Sequence, residues 1–355
     1  MISITAEACV HSQCVSAKCE ACVRNCHAQA WAWSEEGLAF DDALCDECGV
    51  CVAACPTEAI TQSGPLPALA PHPQTGKMYA WLRCDHNLPQ QEPDHAGTIP
   101  CLHAISLQWL HEVLSRHIAG IKLVLGDCAT CARCPKDPSV RLDHKLTALQ
   151  QRVPTWHANS IDILPAGSWH TAAQQGAPQV QRRRFLGLFA KGPMQVFKDS
   201  LPVAGLTLSS ASGYANQLVQ QHQPAAAFWD LQLDTDKCTW CFACAKLCPN
   251  TALTHTQQRG PHQEDDVFAL QLNPYACVGC GICTDVCEDH ALRLERVTTT
   301  STASTPVTYH LQEVKCSSCK TPFLQLKDST QPQQQQCSVC AKGRWQQFDR
   351  LVQED

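Results

Sequence analysis

The sequence predicts a multidomain protein of mixed α+β and α/β class, and three observations support this fold class. Cysteines make up 26 of the 355 residues, and most of them stand in closely spaced runs. Between residues 78 and 165, strand-like and helix-like segments alternate, which is typical of a small parallel sheet with crossover helices. Near the end of the chain, two Cys-x2-Cys pairs have the spacing of a zinc ribbon.

The composition and the first residues favour a cytoplasmic protein whose cysteines bind metal. The N-terminus has no basic and apolar segments of a secretory signal peptide, and no apolar run reaches the length of a membrane span. Thiols stay reduced in the cytoplasm, where clustered cysteines usually hold metal. A formal net charge of −6 argues against a nucleic-acid-binding protein, which usually has a basic face.

The clearest cysteine runs lie between residues 238 and 287. The spacing Cys-x2-Cys-x2-Cys-x3-Cys occurs twice, and it is the spacing that holds a [4Fe-4S] cluster. In a two-cluster ferredoxin, the fourth cysteine of each run binds the other cluster. The predicted ligand sets are Cys238, Cys241, Cys244 and Cys287 for one cluster and Cys277, Cys280, Cys283 and Cys248 for the other.

A second ferredoxin-like arrangement, with one irregular run, lies near the N-terminus. The regular run predicts a cluster bound by Cys45, Cys48, Cys51 and Cys26. The other cluster would be bound by Cys19, Cys22, Cys55 and a further cysteine upstream of Cys19. Both Cys9 and Cys14 can supply that ligand, and spacing alone does not choose between them.

The middle segment predicts a small parallel α/β domain with a metal site of its own. Strands are expected at residues 78–83, 121–125 and 160–164, and helices at 106–120 and about 140–152, with Ser106 capping the first helix and Gly120 ending it. Ligands of parallel sheets bind beyond the carboxyl ends of the strands, where Cys84 and Cys128 lie. We therefore predict a fifth iron–sulfur centre, [2Fe-2S] or [4Fe-4S], bound by Cys84, Cys101, Cys128 and either Cys131 or Cys134.

The C-terminal cysteines predict a zinc ribbon, because four thiolates suit Zn²⁺ in a closed tetrahedral site. Its ligands would be Cys316, Cys319, Cys337 and Cys340, with rubredoxin-type iron as the alternative. Composition marks residues 63–73 and 297–306 as linkers, and residues 182–189 as the start of an amphipathic docking segment. The expected domains are a ferredoxin-like unit at 1–66, the α/β domain at 67–175, a linker or docking segment at 176–230, a second ferredoxin-like unit at 231–300 and the ribbon at 306–355.

Together these motifs resemble a bacterial family of multi-cluster 4Fe-4S ferredoxin-type proteins associated with molybdenum enzymes, especially formate dehydrogenases. The residues that carry the resemblance are Cys9–His11, Ser16–Cys26, Ile99–Ala104, Leu125–Cys131, Arg182–Leu186 and Lys315–Phe323. The middle residues are also similar to the iron–sulfur delta subunit of heterodisulfide-reductase-linked hydrogenases. The family's first run opens well before its second cysteine, so the resemblance favours Cys9 over Cys14. Departures are His27 and Glu288 in place of proline, and the additional Cys14 and Cys134.

The resemblance implies either electron transfer beside a larger redox enzyme or assembly of that enzyme. The first hypothesis is an electron-transfer protein or subunit with four [4Fe-4S] clusters and a fifth centre, which exchanges single electrons with a redox enzyme of molybdoenzyme or formate dehydrogenase type. The alternative is an iron–sulfur maturation factor for such an enzyme. The sequence contains no dinucleotide-binding, phosphate-binding or hydrolase motif, so we predict no small-molecule substrate site and no catalytic residue.

Overall fold

The computed structural model divides the chain into two compact units. The first comprises residues 1–12 and 20–222, and the second comprises residues 13–19 and 223–355. The structure describes residues 2–34, 37–63, 67–71, 75–85, 97–115, 118–156, 160–165, 168, 207–208, 212–221, 227–260, 266–297, 305–327 and 336–342. The predicted docking segment at 182–189 and most of the predicted linker at 297–306 lie outside the described residues.

The first unit begins with two antiparallel strand pairs and three short helices. Its elements are β1 (Ile2–Ile4), α1 (Val10–Gln13), α2 (Ala21–Asn25), β2 (Trp31–Ser34), β3 (Gly37–Phe40), α3 (Val50–Ala54) and β4 (Ile60–Ser63). Strand β1 pairs with β4, and β2 pairs with β3. The β1–β4 pair therefore brings the first and last residues of this part together, while the cysteine runs lie on the segments between the strands.

The rest of the first unit is built around a parallel sheet. Its elements are β5 (Ala68–Pro71), β6 (Met78–Cys84), β7 (Thr98–Ile99), α4 (Leu107–Leu114), β8 (Gly120–Leu125), α5 (Leu142–Arg152), β9 (Ile161–Pro165), β10 (Thr207–Leu208) and α6 (Ser212–Gln221). Strands β6, β8 and β9 run parallel and adjacent, β7 also pairs parallel with β6, and β10 pairs with β4. Leu82, Leu123, Leu110 and Leu149 are fully buried. The apolar faces of the sheet and of its two helices thus form the core expected for an α/β unit.

Two local expectations for this unit are wrong. The prolines of residues 63–73 suggested a linker, but this segment contains strand β5, which pairs antiparallel with β6. Strand β5 lies at the edge of the sheet, where proline is tolerated. Gly120 does not end helix α4, which already ends at Leu114, but begins strand β8. A Cβ atom at Gly120 would lie 2.5 Å from the carbonyl oxygen of Ser160, so close strand packing explains this glycine.

The second unit repeats the strand pairing of the N-terminal part. Its elements are β11 (Trp229–Leu233), α7 (Ala243–Lys246), β12 (Leu253–Gln258), β13 (Val267–Leu272), α8 (Ile282–Asp285), β14 (Leu292–Arg296), β15 (Val307–Lys315), β16 (Pro322–Leu326) and α9 (Ser338–Ala341). Strand β11 pairs with β14 and β12 with β13, as β1 pairs with β4 and β2 with β3. The ribbon hairpin β15–β16 continues the sheet in the order β12-β13-β15-β16. Leu311 of β15 accordingly belongs to the same hydrophobic core as Leu270.

None of the described helices is long and apolar enough to cross a membrane; the longest, α5, has 11 residues.

Candidate iron–sulfur and metal centres

The three regular cysteine runs share one backbone conformation. In each run, the residues immediately before and after the second cysteine both have positive φ angles. These pairs are Glu47 and Gly49, Trp240 and Phe242, and Gly279 and Gly281. The N–H of Glu47 donates to Cys45 Sγ and that of Trp240 to Cys238 Sγ, each at 3.4 Å. Left-handed turns of this kind direct successive backbone N–H groups toward an anionic centre such as an iron–sulfur cluster.

A second repeated feature follows the fourth cysteine of each run. The third residue beyond that cysteine has a positive φ angle in all four cases: Gln29, Glu58, Thr251 and His290. Backbone N–H groups donate from Ala30 to Cys26 Sγ at 3.3 Å, from Leu253 to Cys248 Sγ at 3.4 Å and from Ala291 to Cys287 Sγ at 3.3 Å. The turn is therefore retained where His27 and Glu288 replace proline.

In the second unit, the charged neighbours of several cysteines agree with the predicted crossed sets. Burial raises the pKa of Cys244 to about 12, and the thiolates of Cys238, Cys241 and Cys287 raise it further. Burial likewise raises the pKa of Cys277 to about 12, with Cys280 and Cys248 as charged neighbours. Burial also raises the pKa of Cys283, beside Cys277, Cys280, Cys248 and Cys244. The fourth cysteine of each run is thus a charged neighbour of cysteines in the other run, as the predicted ligand sets require.

In the first unit, Cys26 is a charged neighbour of two cysteines of the regular run, as predicted for its ligand set. Burial raises the pKa of Cys51 to about 12, and the charges of Cys45 and Cys26 raise it further. Cys26 is also a charged neighbour of Cys45, whose pKa is raised mainly by burial. Cys48 and Cys51 are buried, with 8% and 6% of their surfaces exposed. These four residues fit the donor set of a [4Fe-4S] cluster.

The cysteines of the irregular run are divided between the two compact units. Cys22 and Cys55 are buried in the first unit, while Cys14 and Cys19 belong to the second. The Sγ atom of Cys14 lies 3.0 Å from Ser16 Oγ. Burial raises the pKa of Cys280, and the charge of Cys19 raises it further. The ligand set of Cys19, Cys22, Cys55 and either Cys9 or Cys14 stays a prediction.

All five middle cysteines line one pocket at the carboxyl ends of the parallel strands. Cys84 ends β6, Cys101 precedes a single 3₁₀ turn at Leu102–Ala104, and Cys128 follows β8. Burial raises the pKa of Cys101 to about 12, and three nearby thiolates raise it further: Cys84, Cys131 and Cys128. Cys134 is the charged neighbour that most raises the pKa of Cys128 after burial. This cysteine-rich pocket therefore lies beyond the carboxyl ends of the parallel strands, where such sheets usually bind their ligands.

His103 is a functional candidate in this pocket that sequence reasoning missed. Only 1% of its surface is exposed, and burial lowers its pKa to about 4, so the ring is neutral at pH 7. Its Nδ1 accepts a hydrogen bond from the Leu142 amide at 3.0 Å, which places the proton on Nε2. Nε2 lies 3.4 Å from Cys128 Sγ and donates to it. The only sequence signal was its position two residues after Cys101.

The four ribbon cysteines converge on one point. Their Sγ atoms all lie within 4.8 Å of one another. Cys319 Sγ and Cys337 Sγ are 3.7 Å apart, and the N–H of Cys337 donates to Cys316 Sγ at 3.3 Å. Four thiolates in a closed cluster are the donor set of a structural zinc site.

Comparisons with known proteins match the two regions that contain the regular runs. A 4Fe-4S dicluster domain matches residues 230–289, and a 4Fe-4S binding domain matches residues 38–61. The chain is also similar to the pyruvate-flavodoxin oxidoreductase of Enterobacter agglomerans, with 32% identity over 111 residues; the match covers 25% of this chain and 9% of that protein. The chain therefore contains two 4Fe-4S ferredoxin-type domains.

Proposed function

We propose that this chain is an electron-transfer protein or subunit that carries four [4Fe-4S] clusters and a fifth iron–sulfur centre. The observation that carries the proposal is that Cys287, from one run, is a charged neighbour of Cys238 and Cys244 in the other, as crossed ligand sets require. When bound, such clusters accept and release single electrons. The protein residues would bind them through thiolates, direct backbone N–H groups at the sulfurs and limit access of water.

The fifth centre would be bound by Cys84, Cys101, Cys128 and Cys131. Cys131 is favoured over Cys134 because it is a charged neighbour of both Cys84 and Cys101. In the proposal, the His103 side chain orients Cys128 through its Nε2–H donor. Lys145 Nζ donates to the carbonyl oxygens of His103 and Ile105, both at 3.1 Å, and so holds the turn that presents Cys101.

Zinc bound by the four ribbon cysteines would stabilise the end of the second unit. The ribbon hairpin is joined to that unit through the β13–β15 pairing. Beyond the last ribbon cysteine, Lys342 forms an ion pair with Asp289, two residues after Cys287. Tyr309 of β15 packs against Trp240 with ring centroids 5.9 Å apart. These contacts support a stabilising role for the ribbon beside a ferredoxin-type domain.

The proposed partner is a redox enzyme of molybdoenzyme or formate dehydrogenase type. This part of the proposal rests on the motif resemblance and on the similarity of part of the chain to an oxidoreductase.

Stopped-flow mixing tests the function. The anaerobically purified full chain is mixed with a formate-reduced molybdenum formate dehydrogenase from the same organism, and the iron–sulfur absorbance is followed. The electron-transfer proposal predicts bleaching within one turnover of the enzyme. Clusters that stay oxidised on this timescale contradict it, and transfer of iron and sulfide to the apo form of the enzyme would establish maturation instead.

A further inference from the structure

Ligands of two predicted centres meet in the interior of the first unit. Cys48 belongs to the regular N-terminal run and Cys101 to the middle pocket, yet both lie in one buried hydrophobic cluster with Val50 and Val140. Their exposed fractions are 8% and 6%. Cys101 is also one of the charged groups that raise the pKa of Cys48, although burial is the larger cause. Water is therefore largely excluded from the contact between the two ligand sets.

Arg133 links the two ligand sets through a single guanidinium group. It lies between Cys131 and Cys134 in the sequence, and its side chain is 23% exposed. Its Nε donates to Asp46 Oδ2 at 2.6 Å, and its Nη1 donates to Asp85 Oδ1 at 2.6 Å and to the carbonyl oxygen of Pro100 at 3.2 Å. Asp46 lies between Cys45 and Cys48, Asp85 follows Cys84, and Pro100 precedes Cys101. Each partner of Arg133 is thus adjacent to a predicted ligand.

Further contacts involve residues next to the two ligand sets. Asn25, which is 4% exposed and precedes Cys26, accepts a hydrogen bond from the Asp137 amide at 3.1 Å. A Cβ atom at Gly49 would lie 2.9 Å from the Cβ of Ala104, so the loop after Cys48 approaches the turn after Cys101 closely. His27 Nε2 lies 3.2 Å from Asp46 Oδ2, on the carboxylate that Arg133 also contacts. The two cysteine loops are therefore joined by several separate interactions.

We propose that Arg133 is a positioning residue that, together with the Cys48–Cys101 contact, holds the middle centre in direct electronic contact with the centre bound by Cys26, Cys45, Cys48 and Cys51. The inference rests on the proposed electron-transfer function and adds an internal route to it. In each exchange, one centre is oxidised by one electron while the other is reduced by one electron, and no proton moves. The first electron comes from a low-potential redox protein or from dithionite.

An arginine suits this role better than a lysine. The planar guanidinium donates in several fixed directions, so one side chain can contact Asp46, Asp85 and Pro100 together. Its positive charge also offsets the charge of two carboxylates beside two anionic ligand sets. Neutralising Arg133 should therefore make reduction of both neighbouring centres less favourable, which lowers their midpoint potentials. The electron-transfer rate separates positioning from this charge effect, because a lysine at position 133 keeps the charge but not the fixed directions of the hydrogen bonds.

The test compares Arg133→Gln and Arg133→Lys with Arg259→Gln in the anaerobic, cluster-loaded full chain. Arg259 also lies beside two carboxylates, Glu313 and Asp266, but it is 66% exposed and belongs to the second unit. Redox titration with dithionite is followed by EPR spectroscopy. We expect magnetic splitting between two reduced centres in the wild type, and its loss in the Cys84→Ala/Cys128→Ala variant, which removes ligands of the middle centre away from the contact.

Arg133→Gln should lower both midpoint potentials and slow electron equilibration after flash reduction, because the two cysteine loops lose the hydrogen bonds that Arg133 makes to both. Arg133→Lys should restore the potentials in part but not the rate, and Arg259→Gln should change neither. Absence of splitting in a wild-type protein that contains the middle centre overturns the route but leaves electron transfer intact. Absence of the middle centre itself, measured as iron and sulfide, contradicts the proposed function instead. If Arg133→Gln does not fold, the Arg133→Lys variant and the magnetic splitting in the wild type still test the proposed route.

Discussion

At the scale of single residues, His103 shows how one buried side chain can orient a predicted ligand. The Leu142 amide determines which ring nitrogen carries the proton, and the other nitrogen therefore faces Cys128 as a donor. Sequence reasoning could not find this role because its one signal, a position two residues after Cys101, does not show that the ring contacts Cys128. Sequence reasoning also missed Arg133, because its partners Asp46 and Asp85 are distant in the sequence and lie beside it only after folding.

Replacing His103 tests the hydrogen bond to Cys128. Hydrogen bonds to ligand sulfurs tune the reduction potential, and they favour the more negative reduced state. His103→Phe should lower the potential of the middle centre and, because the Leu142 amide loses its acceptor, reduce the free energy of unfolding by about 1–3 kcal/mol. His103→Gln, which can still donate, should retain more of the potential. Potentials measured by EPR titration that are equal in wild type and His103→Phe would contradict the assigned hydrogen bond.

Substitution of Gly279 tests how much the left-handed cysteine loop of the second unit depends on glycine. Its φ angle is +74°, and a Cβ atom there would overlap the ring of Trp229. Gly279→Ala should destabilise the second unit by more than the roughly 1–3 kcal/mol that a strained backbone conformation costs. Gly37 is the matched control, since it also has a positive φ angle, +116°, but its Cβ would meet nothing within 4 Å. Equal losses of thermal stability in the two alanine variants would show that the tryptophan contact is unimportant.

At the scale of elements, local patterns predicted the α/β core well. Strands β6, β8 and β9 and helix α5 lie close to their expected bounds, and helix α4 begins after its predicted Ser106 cap, because apolar periodicity and caps are local signals. The end of α4 was predicted six residues too late. Strand β5 was missed because the prolines in residues 63–73 are typical of linkers. The pairing of β15 with β13 was also missed, because the order of strands in a sheet depends on contacts between distant residues.

That pairing makes the ribbon part of the sheet of a ferredoxin-type domain. Strand β15 contributes Leu311 to the core and places Tyr309 against Trp240, which lies in a cysteine loop. The proposed zinc site therefore predicts that the Cys319→Ser/Cys340→Ser variant, which lacks two of its ligands, loses the iron–sulfur absorbance of the second unit at a lower temperature. The β2–β3 part of the first unit has no such ribbon strand among its described residues, so the clusters proposed there provide the internal control. Unchanged melting of all clusters would show that the ribbon is independent.

At the scale of the whole molecule, the predicted ligand sets account for the high cysteine content of the chain. All 26 cysteines are free of disulfides in the structure, and every one lies in or beside a predicted ligand set. The spacing of the runs predicts 4Fe-4S ferredoxin-type domains, and family models match both regions, while the crossed ligand sets stay a prediction. The choice between Cys131 and Cys134 could not be predicted from spacing, because it depends on which thiol approaches Cys84 across the pocket. Cys9 and Cys14 stay alternatives for the irregular run.

The most direct test of the central claim is quantitative iron, acid-labile sulfide and zinc analysis of the anaerobically purified full chain, combined with EPR of the reduced protein. Four [4Fe-4S] clusters require roughly 16 Fe, the middle centre adds about 2 to 4, and the ribbon adds about one Zn. Roughly 18 to 20 Fe with about one Zn per chain, and EPR signals from interacting clusters, would agree with the account. A value near 8 Fe, enough for roughly two clusters, would contradict it.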